Sequence, residues 1–226
     1  METMEARRWR FKGPEMEGPV ARWYARIRGS SSQIALYRKQ ARELTAGLPD
    51  GAAVLEVAPG PGYLTIELAR LGRFRVTGLD ISHTFVEIAS RNAAQANVTV
   101  DFRQGDVAAM PFAAESFDLV VCQAAFKNFT LPKSALSEMH RVLRKGGTAV
   151  ILDMSREATH ADNDGEVKTM DLGPLATFTT KATLEMLRRR AYSPAQFERL
   201  IAESPFETSV IATAGIGLEV RLRKDK

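Results

Sequence analysis

The sequence predicts an α/β fold: a doubly wound, mostly parallel, seven-stranded sheet with N-terminal cap helices. Three observations carry that expectation. From Ala52 onward, short runs rich in Val, Ile and Leu alternate with amphipathic helical stretches. Strands of that composition, each followed by a helix, make a parallel sheet covered on both faces. The first run ends in a Gly/Pro turn that opens directly into a helix, and the last two runs are separated by Gly215-Ile-Gly217, the spacing of a hairpin.

Two helices precede the sheet. Val20, Trp23, Tyr24 and Ile27 stand at i, i+3, i+4 and i+7, one apolar stripe, with Arg22 and Arg26 off it. Gly29 is the expected stop, and Ser31 or Ser32 the cap of a second helix carrying Ile34, Tyr37, Ala41 and Leu44 on one side. Strands are expected over 53–58, 74–79, 98–102, 117–122 and 148–153, with helices over 63–71, 84–96 and 133–144 between them. Pro132 opens the last of these helices and Gly146-Gly147 closes it. After Asp153 the regularity lapses until about Thr180, and a helix over 181–190 follows. Ser193-Pro-Ala-Gln196 is a capping box that starts another helix, before β-like runs over 207–212 and 218–222. The expected organisation is one domain: cap helices over 1–48, a core over 52–153, a second cap segment over 155–192, and a last helix and hairpin over 193–226.

Composition narrows the function classes. With 45% hydrophobic and 26% charged residues in 226, the chain has enough apolar surface for its own core. Cys122 is the only cysteine, which removes disulfides and every zinc-finger arrangement. The longest apolar runs fall short of a membrane span, and residues 1–8 hold no hydrophobic signal core, so a cytoplasmic setting is expected. The sequence pI of 9.3 suggests nucleic acid until the charge is mapped. Residues 1–42 hold ten Lys or Arg against four Asp or Glu, whereas the other 184 hold 21 against 23. The excess is an N-terminal matter.

The chemistry-bearing residues lie at strand ends. Ligands of open α/β sheets bind at the carboxyl ends of the strands, where the strand order reverses. Gly60 and Gly62, after the first strand, let a ligand approach the backbone. The dinucleotide pattern G-x-G-x-x-G fails because Thr65 occupies its third position, which disfavours a nicotinamide-dependent dehydrogenase. Asp80 ends the second strand 20 residues after Gly60, the separation at which a carboxylate reaches a nucleoside ribose. Asp106 follows the third strand, where a carboxylate can accept from an adenine amine. Each aspartate alone reads as a helix cap before it reads as a ligand; the three elements in order, on consecutive strand ends, read as a nucleoside site.

On these residues, with Ser116–Val121 as fourth strand and the segment from His140 to Gly147, the chain resembles a class I S-adenosylmethionine-dependent methyltransferase from about Ala52 to Asp153. Ala58 stands where that family commonly has its first glycine. The resemblance implies S-adenosylmethionine as cofactor, its methionine end held by Glu56 and the Gly60–Gly62 backbone. Its nucleoside would be held by Asp80 and Asp106, with Ala58, Ile81, Val107 and Gln123 alongside. The segment from Ala125 to Leu136 is similar to the ubiquinone and menaquinone biosynthesis C-methyltransferases, as is Ala21-Arg-Trp-Tyr24. That finer likeness implies Tyr24 near the cofactor and Lys127 and Asn128 on the substrate side. Lysine in place of that group's arginine loses the bidentate fork.

The remaining expectations concern the acceptor. A sulfonium methyl is already electrophilic, so the protein needs chiefly to align a nucleophile and exclude water. Tyr24, Phe126 and Phe129 offer aromatic faces for the positive sulfur, the two phenylalanines reading equally as core. His160 and Asp153 are base candidates at the mouth, besides Lys127; His140, His83 and Cys122 read as structural. Cys122-Gln123 supplies no carboxylates for Mg²⁺, so no metal is expected. The expected partner is a small-molecule methyl acceptor, with nucleic acid disfavoured, no membrane span, and a monomer or homodimer. Methylation of RNA or a protein is the alternative within enzymes, and a non-catalytic nucleoside-binding protein the alternative of another class.

Overall fold

A computed structural model describes residues 16–169 and 174–225, which form eight helices and a seven-stranded sheet. Helices α1 (Gly18–Arg28) and α2 (Ser31–Leu44) lead into β1 (Ala53–Val57), α3 (Tyr63–Arg70), β2 (Arg75–Asp80), α4 (His83–Gln95), β3 (Asp101–Gln104) and β4 (Phe117–Gln123). Then follow α5 (Pro132–Val142), β5 (Leu143–Met154), α6 (His160–Thr169), α7 (Pro174–Arg190), α8 (Pro194–Ala202), β6 (Thr208–Ala214) and β7 (Gly217–Arg223). The strand order is β3-β2-β1-β4-β5-β7-β6; β7 runs antiparallel to β5 and β6, and the other pairs are parallel.

The order reverses between β1 and β4, so the loop leaving β1 stands at the switch point. Period-two alternation along the central strands feeds two cores. Leu55, Val57, Val120, Cys122, Ala149 and Ile151 pack on one face with Leu136, Met139 and Phe197 from α5 and α8. Val54, Leu119, Val121 and Val150 pack on the other with Tyr37, Ala41, Leu44, Leu64 and Leu68 from α2 and α3. Burial on both faces is why these strands read as continuous apolar runs.

Several boundaries differ from expectation. β3 begins at Asp101, because the chain leaving α4 first closes the helix end: Asn97 adopts φ +55° and the Val98 N–H donates to the Ala93 carbonyl at 3.1 Å. Gly146-Gly147 does not end α5. The helix stops at Val142, Leu143 already pairs with Phe117, and Gly146 at φ +77° forms a bend within β5 whose N–H donates to the Lys224 carbonyl. The second helix is capped by Ser30, one residue before the expected serines. α6 was not expected, since its ten residues carry no apolar stripe; a Thr159–Asp162 capping pair starts it, and Lys181 of α7 pairs with Asp164. The Ser193–Gln196 capping box and the closing hairpin stand as expected.

The α6–α7 excursion begins and ends at one place. Ser155, just past β5, bridges to Tyr192, and the Arg156 N–H donates to the Tyr192 carbonyl at 3.0 Å. It is thus inserted at the carboxyl end of β5. α1 departs most from expectation: its buried residues are Ala21 and Ala25, and the Val20–Trp23–Ile27 stripe points outward.

Candidate active site

The turn after β1 is built on left-handed backbone. Ala58, Gly60 and Gly62 have φ of +54°, +56° and +78°. Only glycine adopts this region at little cost, so Ala58 holds a strained conformation where a glycine would be relaxed. Gly62 is fixed by contact as well, since a Cβ there would lie 2.8 Å from the Ala89 methyl and 2.9 Å from the Phe102 ring. The turn is clamped by the Ala58 N–H donating to the Leu79 carbonyl at 2.7 Å and the Asn92 amide donating to the Pro61 carbonyl at 2.9 Å.

Two buried carboxyls flank this turn. Glu56, at the end of β1, accepts a hydrogen bond from the Thr65 hydroxyl. Burial raises its pKa to about 7, the Thr65 bond opposes that, and the nearby Asp80 charge adds to it. Asp80 accepts from the Gly60 N–H through Oδ2 and from the Ser82 N–H through Oδ1, both at 2.9 Å. Burial raises it to about 6 against those two bonds. Gln104 donates to the carbonyl of Ile81 at 3.2 Å, tying the end of β3 to the chain after β2. Asp106 caps the short 3-10 turn Val107–Ala109, its Oδ1 accepting from the Ala108 N–H at 2.8 Å.

α1 roofs the turn. A Cβ on Gly60 would lie 4.0 Å from the Tyr24 ring and 3.9 Å from Phe85, and those two rings meet edge-on with centroids 5.9 Å apart. The helix is held at both ends. The Tyr63 hydroxyl donates to the Ala25 carbonyl at 3.0 Å. Glu17 accepts from the His83 and Thr84 N–H groups at 2.9 and 3.0 Å, capping α4, while the Gly18 N–H donates to the Thr84 hydroxyl. Nothing in the sequence pattern singled out Glu17, because its partners are 66 and 67 residues away. Gln123, at the end of β4, donates to Gln40 of α2 at 2.6 Å and so pins the second cap helix to the same mouth.

The segment leaving β4 is held by a buried ion pair. Lys127 Nζ donates to Asp153 Oδ1 at 2.7 Å and to the Ala124 carbonyl at 2.6 Å; the two charged side chains are 5% and 3% exposed. Asp153 also accepts from the backbone N–H groups of Lys127 and Met154. The pair fixes a tight turn in which Ala124 is left-handed at φ +57° and its N–H donates to the Leu152 carbonyl. Lys127 and Asp153 are therefore brought together, with Asn128 half-buried beside them.

Other candidates are placed elsewhere. Phe126 is fully buried among Phe129, Tyr192 and Phe197, with centroids 5.0–5.7 Å away, so it is core rather than an open aromatic face. His160 is exposed on the first turn of α6. His140 packs edge-on against Phe206, and burial with the Lys224 charge lowers its pKa. His83 is exposed beside Glu87, and burial raises the Cys122 thiol. Among the described residues no group of three metal-ligating side chains is present.

The residues present fit S-adenosylmethionine. A turn without side chains at Gly60 and Gly62, between the two buried carboxyls of Glu56 and Asp80, matches a ligand with a cationic amino acid part and a diol. Comparison with known proteins agrees. Residues 55–151 match a family model described as a methyltransferase domain. The chain is 35% identical over 107 residues to a demethylmenaquinone methyltransferase of Deinococcus radiodurans, covering 47% of this chain and 44% of that protein. It is 40% identical over 116 residues to a 2-phytyl-1,4-naphtoquinone methyltransferase of Thermosynechococcus vestitus, covering 50% and 51%. The chain thus spans about half the length of the curated relatives it matches. A SAM-dependent methyltransferase from Aquifex aeolicus shares the fold, with a TM-score of 0.68 at 17% identity over 88% of this chain and 96% of that one. Residues 55–151 thus match a methyltransferase domain, within a fold shared with a SAM-dependent methyltransferase of known structure.

Proposed function

We propose that the protein transfers a methyl group from S-adenosylmethionine to a small, partly apolar acceptor of the quinol type. The observation that carries this reading is the left-handed turn of Ala58, Gly60 and Gly62 between buried Glu56 and Asp80, at the sheet's switch point. The acceptor class is supported by the names of the two quinone-methylating relatives. When bound, S-adenosylmethionine supplies an electrophilic methyl on a positively charged sulfur.

Each residue then has a defined task. Glu56 and the Gly60–Gly62 backbone hold the amino acid end, Asp80 accepts from the ribose hydroxyls, and Asp106 faces the adenine, with Ala58, Ile81, Val107 and Gln123 lining the cleft. Tyr24, carried by α1, covers it and keeps water out. Lys127 acts as a positioning residue. Its ammonium already donates to Asp153 and Ala124, so it braces the turn that presents Asn128 to the acceptor rather than taking the acceptor's proton. Alignment and exclusion of water carry the rate; well-oriented reactants gain about 7–11 kcal/mol over free encounter.

The test is S-adenosylhomocysteine release with reduced naphthoquinols and benzoquinols, beside phenols, thiols, RNA and basic protein. The expected result is turnover with quinols and none with the polymers. Lys127→Arg should keep most of kcat, whereas Lys127→Met should lower kcat with little change in cofactor affinity. Turnover only with RNA or protein, or cofactor binding with no acceptor at all, overturns the reading.

A further inference from the structure

α1 is turned the opposite way from a core-facing helix. Its small residues Ala21 and Ala25 face the protein, while Val20, Trp23 and Ile27 are 42%, 62% and 53% exposed. These three lie at i, i+3 and i+7, a single outward stripe. Arg22 and Arg26 are exposed beside it, and neither is paired with a carboxylate among the described residues. The basic excess of the whole chain is concentrated in residues 1–42, which include this helix.

We propose that the Val20–Trp23–Ile27 face of α1 is a docking site for the surface of an anionic lipid bilayer. Tryptophan settles at headgroup level, aliphatic side chains reach the acyl boundary, and arginines engage lipid phosphates. The charge on the face selects this occupant. A second copy of the chain would bring Arg22 and Arg26 against their own equivalents in a two-fold contact, a like-charge juxtaposition that an anionic surface turns into attraction. The setting is consistent with it. Tyr24 of the same helix covers the Gly60 turn, and further exposed apolar side chains stand at Leu131, after β4, and at Phe178 and Met186 on α7. All three belong to connections that leave carboxyl ends of strands, on the side where the cleft opens. Docking is distinct from spanning, and among the described residues no helix is long and apolar enough to cross a membrane. The proposal goes beyond the methyl-transfer reading and does not depend on which acceptor is used.

The experiment is co-sedimentation of the full chain with phosphatidylcholine vesicles containing phosphatidylglycerol, against phosphatidylcholine alone. The expected result is partition onto the anionic vesicles, weakened by salt, with a blue shift of Trp23 emission in a Trp9→Phe background. Trp23→Ser/Ile27→Ser and Arg22→Gln/Arg26→Gln should each lower the partition about tenfold or more, with helicity and S-adenosylmethionine binding unchanged. Absence of partition by the intact chain overturns the proposal, as does partition that neither double variant reduces. Self-association abolished by Trp23→Ser/Ile27→Ser, without vesicle binding, overturns it in favour of a second copy.

Discussion

Glu56 and Asp80 are carboxyls that folding takes out of water, and burial is the largest cause of their raised pKa values, about 7 and about 6. A folded-state pKa above the unfolded one means that the protonated form is favoured in the fold. The associated stability is complete below the unfolded pKa near 4 and is lost as pH rises through 6 to 7. The ligand-free protein should therefore melt lower at pH 8 than at pH 5, and Glu56→Gln should remove about 3 kcal/mol of that difference. Differential scanning calorimetry across that range measures it; a melting temperature that rises from pH 5 to pH 8, unchanged by the substitution, contradicts it. Ala58 supports a prediction of opposite sign. Glycine relieves its φ of +54°, so Ala58→Gly should stabilise the protein by about 0.5–1 kcal/mol in a urea titration. The Lys127–Asp153 pair is the third residue-scale case. Lys127→Met leaves Asp153 buried without its cation and should cost about 3–5 kcal/mol, while Lys127→Met/Asp153→Leu should recover much of that loss. If the double variant is as unstable as the single one, packing of the lysine stem and not the charge pair holds the turn.

Between residues and the whole stand the cap helices, and α1 is the instructive one. It buries only alanines and half of Tyr24, so its attachment depends on a few polar clasps: Glu17 on the α4 N-terminus, Gly18 on Thr84, and Tyr63 on Ala25. Burial pushes the Glu17 carboxyl up, but hydrogen bonds from Thr84, Ser82 and His83 outweigh it and hold the pKa below the usual value. A depressed carboxyl contributes above its unfolded pKa and lets go as the pH falls, so the clasp opens in acid. Glu17→Ala removes a cap worth about 1 kcal/mol. The expected outcome is faster hydrogen exchange confined to α1 and the first turn of α4, with weaker cofactor binding. Exchange that accelerates across the sheet instead would show that Glu17 supports the whole fold.

At the level of the molecule, the sheet and most of the cleft could be read from the chain because they rest on local patterns. Short apolar runs marked β1, β2, β4 and β5, the 20-residue spacing marked Gly60 and Asp80, and the bond between the Gly60 N–H and Asp80 is the physical form of that spacing. What escaped the sequence depends on contacts far apart in it. α6 has no stripe of its own and is held by α7; Gly146 bends because Lys224 lies across from it; the outward turn of Val20, Trp23 and Ile27 follows from Glu17 and Tyr63 gripping the other side. Periodicity identifies an apolar face without saying whether protein or something else will cover it. The Lys127–Asp153 brace was legible as two candidates but not as one unit, since 26 residues and a helix separate them.

The measurement that bears most directly on the cleft is titration calorimetry of the intact chain with S-adenosylmethionine, repeated on Asp80→Ala and with NADH. The predicted result is binding that weakens about tenfold or more in the variant, a loss of about 1.4 kcal/mol, and no heat with NADH. Binding that is indifferent to Asp80→Ala, or a signal with NADH and none with S-adenosylmethionine, would contradict the assignment of the Glu56–Asp80 cleft.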